Sequence, residues 1–209
     1  MAVVPAWRTS IQKLLQEYPV ITSKFLTLAT VDEHSKPRAR YVVFRQWHDD
    51  NSLIVVSDNR HSKVCHEIFT VIPSPHPSRL QVRHLTHNAN FEVCWYFNDA
   101  RLQYRLAGQA RVLTSTASAS ELELRQSVWA ALSDSTRVQY AWPEPEAELD
   151  RRALDAATPA PTDQSAPETF AVVVLVPDEV DVLQLGREMQ REQHQRQEDG
   201  SWTVKVVNP

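Results

Sequence analysis

The sequence predicts one domain of the α+β class, mainly antiparallel β with helices at its periphery, and three observations carry that expectation. Short apolar, β-branched runs recur along the chain with brief polar turns between them, the pattern of strands joined to antiparallel neighbours. Only three glycines, Gly108, Gly186 and Gly200, occur in 209 residues, so there is neither a GxGxxG nor a Walker A loop. Parallel βαβ folds that bind nucleotides through a glycine-rich turn are thereby excluded. A chain of 209 residues with 42% hydrophobic residues also suits a single core, because folding at this size buries roughly 70% of the unfolded surface.

The first element is a helix from about Trp7 to Tyr18, where Ile11, Leu14, Leu15 and Tyr18 form one apolar stripe that Pro19 ends. Strands are expected at Phe25–Val31, Arg38–Gln46 and Leu53–Ser57, separated by Asp32-Glu33-His34-Ser35 and Asp49-Asp50-Asn51-Ser52, which together read as a meander. After Ser57-Asp58-Asn59-Arg60 the period changes. Val64, Cys65, Ile68 and Phe69 share a helical face, giving a strand-turn-helix unit. The Pro- and His-rich stretch of residues 72–90 is expected to be a surface insertion.

Strands resume at Phe91–Phe97 and Gln103–Leu113. Ser118-Ala-Ser-Glu121 has the form of a capping box, and Leu122, Val128, Trp129 and Leu132 continue it as a helix to about Ser133. From Trp142 to Glu168 the chain is rich in Pro, Ala, Glu and Asp, which predicts a mobile loop over about 143–168. Final strands at Phe170–Val176 and Trp202–Val207 flank a polar segment, Arg187–Arg196.

Several function classes are disfavoured at once. A formal charge of -4 argues against general affinity for nucleic acid or anionic lipid. No apolar stretch approaches the ~20 residues that span a bilayer, and the first residues lack a basic, then apolar, leader. Cys65 and Cys94 show no paired spacing, so a reducing compartment, the cytoplasm, is expected. Eight histidines, among them His61, His66, His76, His84 and His87, fit no compact ligand motif, and no metal is expected. Either cysteine reads as a small packed hydrophobe rather than a nucleophile.

The strongest candidate site is basic. Arg38, Arg40 and Arg45 surround Tyr41-Val-Val-Phe44, and strand alternation puts Arg38 and Arg40 on the face of Val42 and Phe44. An arginine on an apolar face must find an anion or stay at the rim. Ser62 and Lys63 follow at a helix start, where free N–H groups and the helix dipole favour a phosphate. The competing reading has these arginines facing solvent in pairs with Asp or Glu.

Three blocks, Arg40–Arg45, Ser57–Lys63 and Cys94–Gly108, resemble in order and spacing the pyridoxamine-phosphate-oxidase-like FMN-binding proteins. The resemblance is strong over Trp7–Leu113 and weak at the C-terminus. It implies a six- to seven-stranded antiparallel split β-barrel of the FMN-binding type. It also implies that Arg40 and Lys63, with Ser62 beside them, grip the FMN phosphate. The backbone of Tyr41, Val42 and Val43 would lie along the isoalloxazine, Val56 and Ser57 would approach from the next strand, and Arg45 would stand near the reactive part of the flavin or its substrate. Gln103 matches a glutamine that reaches the flavin from a second subunit, which implies a homodimer with FMN at the interface.

The substrate side departs from the oxidase pattern. Oxidases of the family hold the substrate phosphate with Tyr, Arg and Ser spaced four residues apart; here those positions are Trp129, Ser133 and Arg137. Their C-terminal Arg-x-His is reduced to Arg187-Glu-Met189 and Arg191-Glu-Gln193, and His194 reads as an exposed loop histidine. Arg45, Trp129, Arg137 and Arg187 are the candidate substrate contacts. With Trp142-Pro143 after the helix, the chain is more similar to a branch known only as FMN-binding proteins. The implied activities are an FMN-dependent oxidoreductase of unidentified small-molecule substrate, a genuine pyridoxamine or pyridoxine 5'-phosphate oxidase, and a non-catalytic flavin or haem binder.

Overall fold

The structure, a computed structural model, describes residues 4–48, 51–60, 82, 84–143, 148–159, 164–186 and 189–209. The expected helix Val64–Phe69 lies outside these residues. Helix α1 (Ala6–Glu17) buries Trp7, Ile11 and Leu14, the inner edge of the stripe. Nine strands follow: β1 (Phe25–Val31), β2 (Pro37–Val43), β3 (Gln46–Trp47), β4 (Leu53–Asp58), β5 (Asn90–Phe97), β6 (Leu102–Leu113), β7 (Phe170–Gln184), β8 (Gln190–Arg196) and β9 (Trp202–Val207). Between β6 and β7 lie α2 (Ala119–Ala130), α3 (Asp134–Arg137) and α4 (Arg151–Ala156).

The fold is mostly antiparallel β. Seven strands in the order β2-β1-β5-β6-β7-β4-β3 curl into a half-barrel, and β8 and β9 extend it from β7. This corrects the expected meander, because β2 and β4 stand towards opposite ends of the strand order. The single run expected over Arg38–Gln46 is broken at the point where the chain changes partners. The Phe44 N–H donates to the Lys24 carbonyl at 2.8 Å, whereas the Arg45 N–H donates to the Ile54 carbonyl of β4 at 2.9 Å. Residues 44 and 45 thus carry the chain across the split, and β2 and β4 touch there.

Long paired strands must bend to curl, and the bend is visible at Gly108. The β6–β7 register shifts between Ala107 and Gly108, and a Cβ added at Gly108 would stand 2.1 Å from the Val176 carbonyl oxygen. Glycine is needed there because of that close backbone approach.

Two apolar cores result. One lies within the curl and joins Trp7, Leu28, Trp95 and Tyr104; the other packs Val128, Trp129 and Leu132 against Ile54, Phe170 and Val174. Helix α2 starts at the expected capping box, with the Ser118 N–H donating to Glu121 Oε2 at 3.1 Å.

Three stretches carry order that the local pattern did not predict. The stretch read as a surface insertion turns inward at its end, where 84–87 are helical and Val82, His84 and Leu85 are buried. The stretch read as a mobile loop contains α4 and a buried Ala166. Arg125 of α2 holds the end of that stretch through the carbonyls of Ala166 and Phe170, at 3.2 and 2.9 Å, and that of Pro167. The polar Arg187–Arg196 segment contains β8, paired on both sides. None of the described helices is long and apolar enough to cross a membrane.

Candidate functional site

Along one face of β2, exposure falls from Arg38 through Arg40 to the buried Val42, so the strand runs from rim to core. The rim end follows the solvent-paired reading. Arg38 contacts Asp32 at 3.0 Å, and the Lys36 and His34 N–H groups, with Arg38, hold the Asp32 carboxyl down to about 2.

Arg40 is different. Its guanidinium donates to the Thr30 hydroxyl at 2.6 Å and the Leu28 carbonyl at 3.2 Å, and it meets His84 Nδ1 at 3.3 Å. All three partners are neutral acceptors, no carboxylate among the described residues pairs with it, and its Nε is buried without a partner. Burial, then repulsion from Arg38, pulls its pKa down to about 10, which leaves it cationic at neutral pH. A half-buried cation held only by neutral groups is poised for an anion.

Where β2 crosses to β4, Arg45 begins a second cluster with Asp58, Arg60 and Tyr140. Burial pushes the Arg45 guanidinium down, opposed by the Tyr140 oxygen close by. Burial, with Asp58 adding, pushes the Tyr140 phenol well up, so it stays protonated and able to donate. Arg60 builds the cluster. It pairs with Asp58 at 2.5 Å and donates to the carbonyls of Gln139 at 3.2 Å, Pro143 at 3.0 Å and Trp142. The segment after α3 is thereby strapped onto the end of β4, which sets Tyr140 beside Arg45. Sequence reasoning missed Tyr140, since the segment has no periodicity and only the adjacent Trp142-Pro143 drew notice.

Of the other candidates, Val42, Val43, Val56 and Ser57 come from β2 and β4, the strands that touch at the split; Val42 and Ser57 are buried, while Tyr41 is 79% exposed. Ser62, Lys63 and Arg187 lie outside the described residues. Trp129 is fully buried in the second core, with ring centroids 5.6 Å from Tyr140 and 5.1 Å from Phe170. Arg137 is also buried, bonded to the Leu132 carbonyl and to Asp134. Trp129 thus packs against Tyr140, while Arg137 is held by groups of its own segment. His194 is no exposed loop histidine: it is 3% exposed in β8, with Nε2 3.2 Å from Glu192, and burial pushes its pKa down.

Gln103 is not brought to Arg40. Tyr104 and Leu106 point into the core, so Gln103 and Arg105 occupy the outer face of β6. That strand is the third from β2 in the sheet order, about 14 Å at the usual strand spacing. On the same outer face Asp181 accepts from Arg105 at 3.1 Å and Arg191 at 2.8 Å. Burial raises the Asp181 pKa, yet those two guanidinium groups hold it below the usual carboxylate value. This pair network lines a groove of about 630 Å³ that also includes Glu92, Gln193 and Lys205.

Residues 4–114 match a family model described as pyridoxamine 5'-phosphate oxidase, FMN-binding domain. A pyridoxine/pyridoxamine 5'-phosphate oxidase 2 of Arabidopsis thaliana is 26% identical over 193 residues, covering 90% of this chain and 88% of its own length. The crystal structure of a pyridoxamine 5'-phosphate oxidase-related, FMN binding protein from Nostoc punctiforme superposes with a TM-score of 0.82 at 27% identity, covering 99% of this chain and 100% of that one. The fold also matches PhzG from Burkholderia lata, crystallised with tetrahydrophenazine-1-carboxylic acid, with a TM-score of 0.70 at 18% identity, covering 98% of this chain and 91% of that one.

Proposed function

The chain belongs to the pyridoxamine 5'-phosphate oxidase FMN-binding family, and from that premise we propose that it is a homodimeric, cytoplasmic flavoprotein that uses FMN to oxidise or reduce a small molecule. The observation that carries this reading is Arg40, a half-buried cation held by neutral acceptors at the edge of the split. A phosphate is the anion it fits, with Ser62 and Lys63 completing the grip. On this reading the backbone of Tyr41, Val42 and Val43 and the residues Val56 and Ser57 would face the ring.

FMN, when bound, supplies the capacity to accept and return electrons, and the protein supplies orientation and charge. Arg45 and the protonated Tyr140 would then meet the substrate, as cation and hydrogen-bond donor. Gln103 serves the neighbouring subunit's flavin, a role supported by its outward face and its distance from Arg40. The unpaired spacing of Cys65 and Cys94 supports the cytoplasm.

A pyridoxine phosphate oxidase is the narrower reading, favoured by the Arabidopsis relative's name and 90% coverage. The broader reading is preferred because Trp129 and Arg137 are taken up by packing and leave the substrate phosphate without the helix anchors. The visible spectrum of the purified protein tests the proposal. Two flavin bands that bleach on dithionite addition are expected; a Soret band would indicate haem instead, and a colourless protein that takes up no added FMN would overturn the reading.

A further inference from the structure

We propose that His84 is a positioning residue for Arg40, which it holds in the orientation that selects phosphorylated over unphosphorylated flavin. The inference rests on the reading that Arg40 grips the FMN phosphate. His84 is 1% exposed and comes from the stretch that the sequence marks only as Pro- and His-rich. Its Nδ1 lies 3.2 Å from the Thr30 hydroxyl and 3.3 Å from the Arg40 guanidinium, while Arg40 also donates to Thr30 at 2.6 Å. These three contacts close a ring in which Nδ1 is the acceptor, because a guanidinium only donates. Arg40 donates to the Thr30 oxygen, and the one lone pair of Nδ1 is shared between the second Arg40 nitrogen and the Thr30 hydroxyl.

The ring requires neutral His84 with its proton on Nε2. Burial and the Arg40 charge both push its pKa below the usual 6.5, against the opposing pull of Asp32 and Glu33, and Arg38 adds to the push. A long arginine side chain gives up rotamer freedom when fixed. Here Thr30 and His84 fix it before any ligand arrives, so the phosphate meets an oriented guanidinium.

A purely structural histidine would be replaceable by any side chain that fits, without effect on ligand choice. A positioning histidine is replaceable only by one that offers an acceptor at the Nδ1 position. The test is titration with FMN and with riboflavin, followed by flavin fluorescence, of wild type, His84→Asn, His84→Gln, His84→Phe and Arg40→Ala. The Asn carbonyl can occupy the Nδ1 position, whereas the Gln amide reaches past it. His84→Asn is expected to keep the preference for FMN. His84→Gln and His84→Phe are expected to lose on the order of 10-fold in FMN affinity, the worth of one hydrogen bond to a charged group, with riboflavin affinity unchanged. If Asn and Gln variants behave alike, the His84 inference is overturned, and this comparison stands even if the Phe variant does not fold. Arg40→Ala separates the two levels: loss of the FMN preference there with no change in the Gln variant overturns only His84, while an unchanged preference in Arg40→Ala overturns the phosphate reading itself.

Discussion

Arg40→Ala is expected to yield a folded protein that no longer retains FMN. One charge-assisted contact to a phosphate contributes roughly 1.5 to 3 kcal/mol, more when bidentate, so affinity should fall by about 10- to 100-fold or beyond. The fold should tolerate the change. Removing the side chain relieves a half-buried cation, which offsets the donors lost by Thr30 and His84. Flavin content per chain after gel filtration, together with the thermal midpoint of the apoprotein, checks both halves. Full flavin content in the variant would sink the assignment.

Trp129→Ala is expected to act in the opposite way, on stability first. Its ring is fully buried and meets Tyr140 and Phe170 edge-on, so truncation should cost about 3 to 5 kcal/mol. That is a large part of the roughly 5 to 15 kcal/mol that holds a domain together. Trp129→Phe should recover most of it and keep the flavin. Urea unfolding of the apoproteins measures the difference. An alanine variant as stable as wild type, but with impaired turnover of its substrate, would return Trp129 to the substrate site.

The contrast between these two residues shows what could be read from the sequence. Helix α1 and strand β1 were legible because their signals are local: a stripe at Ile11 and Leu14 ended by Pro19, and an apolar run closed by Asp32. That Arg38, Arg40 and Val42 share one face followed from alternation alone, whereas the gradient from rim to core along it did not. The break at Phe44 and Arg45 was hidden, because it arises from the curl of the whole sheet. β8 was hidden for a related reason: Glu192 and the buried His194 make its inner face look polar, and its pairing with β7 and β9 is non-local.

The site divides along the same line. Arg40 and Arg45 were singled out by strand pattern and resemblance, whereas the position of Tyr140 depends on Arg60 gripping three carbonyls some eighty positions downstream. His84 reaches Arg40 only because the end of its segment turns inward. Neither contact leaves a trace in local periodicity. Trp129 was drawn into the substrate site by its spacing within a resemblance; its burial between two aromatic rings is a fact of packing that spacing does not carry.

The most direct test of the central claim is an equilibrium titration of the unaltered apoprotein with FMN and with riboflavin, since the two ligands differ only in the phosphate. One FMN per chain is expected, bound about 100-fold more tightly than riboflavin, as a guanidinium and an ammonium closing on one phosphate would give. Equal affinity for the two flavins, or binding of neither, would contradict it.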